Sequence, residues 1–176
     1  SALLGEDGAF NETYTLADTG TEPMYRGSLT TLDHYYWNND TGTNTWSESD
    51  LNKINLNKNF INNIGSTWAN KIATTTWKVG GNTYANIRDV IPATAYQNEI
   101  VNPVTTNTTD NATTYSAKIG LMYVSDYGFA AAPSAWTAKL ENYEDAAIKN
   151  VNWMYMGLYE WTISRNADRA YYVFGV

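Results

Sequence analysis

Two carboxylates flanked by aromatic rings are the first residues of this chain that could do chemistry. Asp126 stands in "YVSDYGFA" and Glu160 in "YEWTIS". Two carboxyl groups across a glycosidic bond, one kept protonated and one ionised, are what glycoside hydrolysis needs. Aromatic-rich β segments produce the same pattern without catalysis, however, and spacing along the chain does not set the separation between the two. Nucleophilic catalysis has less to work with. The sole histidine, His34 in "TLDHYYW", would have to be the base, and the chain has no G-x-S-x-G elbow and no cysteine. His34 reads better as a packed or surface residue. One histidine and no cysteine make zinc implausible. Calcium could draw oxygens from Asn38, Asn39, Asp40, Asn44 and Glu48, but only two of these are charged and the glycine is misplaced for an EF-hand loop. A plain turn is the better reading there, and neither a metal nor a cofactor is expected.

Recognition fits the residue types better than catalysis. Tyr and Arg dominate interfaces because they combine rigid or planar area with polar tips. In "SRNADRAYY" a turn brings Arg165, Asn166, Arg169, Tyr171 and Tyr172 close together, and Asp126 with Tyr127 forms a second candidate patch. These seven residues are the expected ligand-binding set. The competing structural reading pairs Arg165 with Asp168 and puts alternate residues of "AYYVFGV" in the core. At least half of the aromatic rings are expected to be core, since large rings are mostly buried.

The elements that must position these residues can be read more coarsely. The 176 residues suit one domain. Net charge is −7 with 11 Lys and Arg scattered along the chain, which excludes nucleic acid and an anionic membrane surface as natural partners. No apolar run is long enough to span a bilayer. Charged residues make up only 16% and aromatics 14%, so Asn, Thr, Ser and Gly must build the polar surface. That bias points to a β-rich extracellular or cell-surface protein.

Residues 1–33 read as loop with one edge strand, followed by an aromatic–turn–aromatic stretch over "YYWNNDTGTNTW". Ser47 or Ser49 can cap a main helix whose stripe is Leu51, Ile54, Ile61, Ile64 and Trp68. Gly65 ends it, and a short second helix carries Trp68 and Ile72. "TTTWKVGGNTYANI" reads as two β segments about Gly80–Gly81. Pro92 interrupts whatever local structure surrounds it. A polar loop covers 102–114, "AKIGLMYVSDYGFAA" is a strand running into a loop, and Trp136, Leu140 and Tyr143 share a face of a short helix. Two strands, "WMYMGLYEWTISR" and "AYYVFGV", close the chain around an "NADR" turn.

At "YEWTISR" the chain resembles a family. An E-W-T-x-S strand after a Met- and Gly-containing aromatic strand looks like the centre of C-type-lectin-like folds, among them the formylglycine-generating-enzyme type and the variable proteins of diversity-generating retroelements. The set "LTTLDHYYWN", "NTWSESDLN", "TTTWKVGGNTY", "AKIGLMYVSDYGFAA" and "NWMYMGLYEWTISR" is similar to uncharacterised Asn/Tyr-rich surface proteins of Gram-positive, often gut-dwelling, bacteria. The resemblance implies an α+β, C-type-lectin-like fold: a twisted antiparallel sheet, one main helix and a short second one. It implies a single domain over 1–176, incomplete at both ends, because such proteins carry a strand pair upstream and a further strand downstream. The cysteine chemistry of the formylglycine-generating enzymes does not carry over, nor does the lectin calcium site, since Glu22-Pro23-Met24 lacks the Asn of that motif.

The function expected is non-enzymatic adhesion or ligand binding at the cell surface. Loops around 125–135 and 165–172 would present side chains to a protein or glycan. A structural subunit of a surface fibre or pilus-like assembly is the alternative, and a glycoside hydrolase the third reading. In the implied fold Trp161 and Ile163 point into the core and Glu160 and Thr162 point away, which makes Glu160 a structural or rim group.

Overall fold

A computed structural model describes residues 45–49, 51–105, 112–157, 161–168 and 173–176. The readings made for residues 1–33, for His34 and for the Asn38–Asn44 turn lie outside these, as do Glu160, Arg169, Tyr171 and Tyr172. The described residues are mixed α and β, with short helices and two small sheets. They divide into two compact units: residues up to Trp77 together with Ser116–Gly120, and Lys78–Tyr115 together with Leu121–Val176. No helix among the described residues is long and apolar enough to cross a membrane.

In the first unit the main helix starts at Ser49, which resolves the choice of cap. Its Oγ accepts the Asn52 N–H at 3.3 Å and the Asn52 Nδ2 at 2.9 Å. Both side chains are fully buried, so this polar pair is the helix start and part of the interior at once. Ser49→Ala removes the acceptor of two donors and should cost about 1–2 kcal/mol, the range for a lost N-cap. Urea melts of the two proteins would show it as a lower midpoint with an unchanged slope.

The helix over Leu51–Phe60 is wound with π-type spacing and passes into Ile61–Asn63. Asn57 accompanies the wide winding. Its Nδ2 donates to the Asn52 carbonyl five residues back at 2.6 Å and to the Ile119 carbonyl at 2.9 Å. Its Oδ1 accepts the Lys118 and Ile119 N–H groups at 3.0 and 2.9 Å. One side chain thus substitutes for a strand edge. Leu56 and Asn52 are buried, and neither belongs to the stripe expected from 3.6-residue periodicity, of which Ile61 and Ile64 are half-buried. Gly65 turns the chain with φ +77°, a conformation open to glycine at no steric cost. A short helix, Gly65–Ala69, follows. Trp68 on it is 64% exposed, so it is not a core residue as its spacing suggested. Trp46 is the buried ring here, edge-on to Trp77 at 6.3 Å, and the Trp77 indole N–H donates to the Ala117 carbonyl at 3.1 Å.

Strands β1 (Thr75–Lys78) and β3 (Thr114–Ala117) pair in a two-stranded sheet. β2 (Gly81–Asn82), β4 (Trp161–Asn166) and β5 (Val173–Gly175) form a second sheet in the order β2-β4-β5. The two segments around Gly80–Gly81 are therefore not a hairpin. The glycines hand the chain from one sheet to the other, and β2 runs parallel to β4 with Gly81 opposite Arg165. A wholly antiparallel sheet is not what forms: the second sheet is mixed, with β4 and β5 antiparallel.

Pro92 starts a helix rather than breaking one. It occupies the first turn of Pro92–Tyr96, where its missing N–H costs nothing and its fixed φ fits, and the helix runs on through Gln97–Val101. Likewise Val124–Phe129 is a helix where a strand and loop were expected. Its start is marked by Asp126, whose Oδ2 accepts the Tyr123 N–H at 2.9 Å, the reach-back of a capping box. Trp136–Tyr143 is not one helix: a tight turn at Pro133–Ala135 precedes it and a second covers Leu140–Glu144, but Tyr143 does enter the core, with Ala131 and Ala135. Its hydroxyl lies 3.0 Å from the Gly128 carbonyl and 3.1 Å from that of Ala135.

Candidate functional site

β4 is buried on both faces. Thr162, Ile163, Ser164, Arg165 and Asn166 each have at most 1% of their surface exposed. The expected alternation of core and outward residues fails because polar side chains fill the second face and find partners there. Thr162 Oγ1 donates to the Phe174 carbonyl at 2.6 Å. The side chain of Trp161 lies outside what the structure describes.

This burial corrects two of the expected ligand residues. Arg165 is not presented to solvent: its Nη1 donates to the Ala112 carbonyl at 3.0 Å and its Nη2 to Thr105 Oγ1 at 3.2 Å. Asn166 accepts the Asp168 N–H at 3.3 Å on its Oδ1 and shapes the turn. Asp168 in turn accepts the Tyr84 N–H on Oδ1 at 2.9 Å. Asp126 is exposed but committed as a cap. Tyr127, a further member of the set, lines a concavity.

That concavity is a solvent-open groove of about 690 Å³ in the second unit. Tyr127 reaches it from the helix Val124–Phe129, held by its contact with the buried Tyr143 ring at 6.3 Å between centroids. Met154, Tyr155 and Met156 line it from the turn that follows the helix Ala146–Lys149. Asn152 fixes that turn, donating through Nδ2 to the Tyr127 carbonyl at 2.9 Å and accepting the Met154 N–H at 3.0 Å. Gly157 ends it with φ +74°. Tyr84 and Phe174 contribute further rings.

Charges of both signs rim the groove. Lys149 Nζ stands 5.6 Å from the centre of the Tyr155 ring, a cation–π distance. Arg88 lies 3.8 Å from Glu144, both largely exposed, so the pair contributes little to stability and is available to a ligand. Tyr84 is 53% exposed, Tyr155 41% and Met156 70%. Such open apolar area beside mixed charge is the composition of a recognition surface. At least half of the rings were expected in the core; among the described residues Trp46, Tyr123 and Tyr143 are the buried ones.

One further ionisable group is buried close by. Glu99 is fully covered; its Oε1 accepts Ser164 Oγ–H at 2.6 Å and its Oε2 the Ser125 N–H at 3.2 Å. Burial raises its pKa above the ordinary 4.5, the hydrogen bonds from Ser125 and Ser164 pull it down in part, and the charge of Asp126 adds to the rise. Burial likewise lifts the Tyr123 phenol to about 12; its hydroxyl donates to the Lys78 carbonyl at 2.8 Å and accepts the Lys78 N–H at 3.1 Å.

Sequence reasoning missed Glu99, Tyr84, Arg88, Lys149 and the Met154–Met156 run. The last had a readable signal: "NWMYMG" lacks β-branched residues and ends in glycine, which suits a turn better than a strand. Among the described residues no group of three or more His, Cys, Asp or Glu side chains could hold a metal ion. No protein-family model, no curated protein and no solved structure matches the chain.

Proposed function

We propose that this chain is a non-enzymatic binding module at the cell surface and that the groove between Tyr84, Tyr127, Tyr155 and Phe174 takes its ligand, a protein segment or a glycan. The observation that carries the reading is the groove itself: about 690 Å³, open, ringed by aromatic and thioether side chains and edged with both charges. Rigid rings supply contact area at small entropic cost, and Met154 and Met156 adapt to the shape of what lies on them. The C-type-lectin-like assignment stays part of this proposal. The quoted motifs and the antiparallel β4–β5 pair support it, and a crystal structure of the chain would decide it.

The test has two steps. Screening the chain on protein and glycan arrays should return specific ligands. Tyr84→Ala with Tyr155→Ala should then weaken the best of them by at least ~2 kcal/mol, about 30-fold, as loss of interface anchors does. Because both rings are substantially exposed, the melting midpoint should move little. Full affinity in the folded double variant would place recognition elsewhere.

The fibre-subunit reading has one observation in its favour. Val151 is 56% and Trp153 78% exposed on the same turn, apolar area that a neighbouring subunit would cover. Open-ended oligomers in sedimentation that disappear in Trp153→Ser would support it, and a concentration-independent monomer would not.

A further inference from the structure

Glu99 ties together the elements that build the groove. The helix Gln97–Val101 carries it. Its Oε2 holds the Ser125 N–H in the first turn of Val124–Phe129, and its Oε1 takes the Ser164 hydroxyl proton from β4. Ser164 Oγ also accepts the Val124 N–H at 3.0 Å. One carboxyl, one hydroxyl and two successive amides therefore close a buried ring between helix and strand. Both partners lead to the groove: Val124 and Tyr127 line it from the helix, and Phe174 and Gly175 line it from β5, which is paired to β4, with Val176 just beyond.

We infer that Glu99 is the positioning residue of the groove, and that uptake and release of its proton alter how the helix is held to β4, so that ligand binding in the groove depends on pH. The ligand part of this inference rests on the groove being the binding site; the coupling of Glu99 to the groove residues does not.

A buried carboxylate without a cationic partner is costly, because the lost hydration is only partly replaced by two hydrogen-bond donors. The ionisable groups on the elements packed around Glu99 do not relieve it. Asp126, on the helix, opposes ionisation. Tyr123 stays neutral through the relevant range, and Tyr96 and Tyr127 bring no positive charge. Arg165, next to Ser164 on β4, turns its guanidinium to Ala112 and Thr105. The sign follows. The folded pKa lies above the unfolded one, so the stabilisation is complete below 4.5 and is lost as pH rises through the folded value. The groove is held best on the acid side.

The test is a ¹³C-carboxyl NMR titration of the full chain, with the amide signals of Ser125, Tyr127 and Val176 followed in parallel. Glu99 should titrate above the ordinary carboxylate range, the three amides should shift with the same midpoint, and the urea midpoint should fall over that interval. In Glu99→Gln the amides should cease to respond and the urea midpoint should become flat with pH. Ser164→Ala removes a donor that favours ionisation, so the Glu99 midpoint should move upward. If Glu99→Gln does not fold, the wild-type titration and Ser164→Ala decide. An ordinary Glu99 midpoint, groove amides that titrate unchanged in Glu99→Gln, or a downward move in Ser164→Ala would each overturn the inference. Empty arrays with the coupled titration intact would instead overturn the groove as a binding site and leave the coupling standing.

Discussion

Gly81→Ala should leave the unit formed by Lys78–Tyr115 and Leu121–Val176 unfolded. A Cβ at this position would occupy the place of the Arg165 carbonyl oxygen, with the Arg165 carbonyl carbon at 2.7 Å and its nitrogen at 3.1 Å. These are backbone atoms of the central strand, which cannot swing aside as a long side chain could. Relief would require β2 to leave β4. That would break the parallel register Gly81–Arg165 and Asn82–Asn166 and the bond from the Ala167 N–H to the Asn82 carbonyl at 2.9 Å. It would also pull on the Gly81 N–H, which is bound to the Val104 carbonyl at 3.1 Å. The cost should exceed about 4 kcal/mol, in the small class of severe single substitutions that act through overpacking of a buried site. Circular dichroism and urea melts check it; a variant within 1 kcal/mol of the parent would mean that the two strands do not approach so closely.

The neighbouring Gly80 makes the same point about what a sequence shows. A Gly-Gly pair between two short β-like runs reads as a turn, because glycine's freedom is its commonest use. Here both glycines have ordinary φ and serve as empty space: a Cβ on Gly80 would meet the Asn98 carbonyl oxygen and the Pro103 Cα. Close approach is a tertiary fact and leaves no local mark. What was legible had a local cause. Ser49 caps because its hydroxyl sits three residues before a buried amide, Gly65 turns because it can, and the β4–β5 pair follows from two apolar runs around a polar turn. What was illegible depended on partners far away in sequence. Asn57 looks like a poor helix former until the 118–119 backbone supplies its other half, and Glu99 looks like a surface residue until Ser125 and Ser164 enclose it. The groove was hidden for the same reason. Rings were credited to the turn at 165–172, whereas the groove draws its rings from five separated segments, of whose rings Tyr127 alone belonged to the expected ligand set.

Arg165→Ala carries the second large effect, and it separates a ligand-face arginine from a structural one. A ligand-face arginine can be removed with stability intact and binding lost. Arg165 is 1% exposed and its guanidinium spans two points, the Ala112 carbonyl and the Thr105 hydroxyl. One planar group thus joins Thr105 to Ala112. Removing it leaves two acceptors without these donors and a cavity the length of the side chain, for a combined loss of roughly 3–5 kcal/mol. Arg165→Lys keeps the charge but offers a single ammonium where a fork is needed, so it should recover only part of the loss. The expected order of urea midpoints is parent, Arg165→Lys, Arg165→Ala. Amide exchange at Val104 and Val79 should accelerate in the same order, because the Val104 N–H is bonded to the Asn98 carbonyl and the Val79 N–H to the Thr113 carbonyl, each beside one of the two residues the guanidinium holds. An Arg165→Ala protein of parental stability that no longer binds its array ligand would return the arginine to the recognition surface and move the groove out of that role.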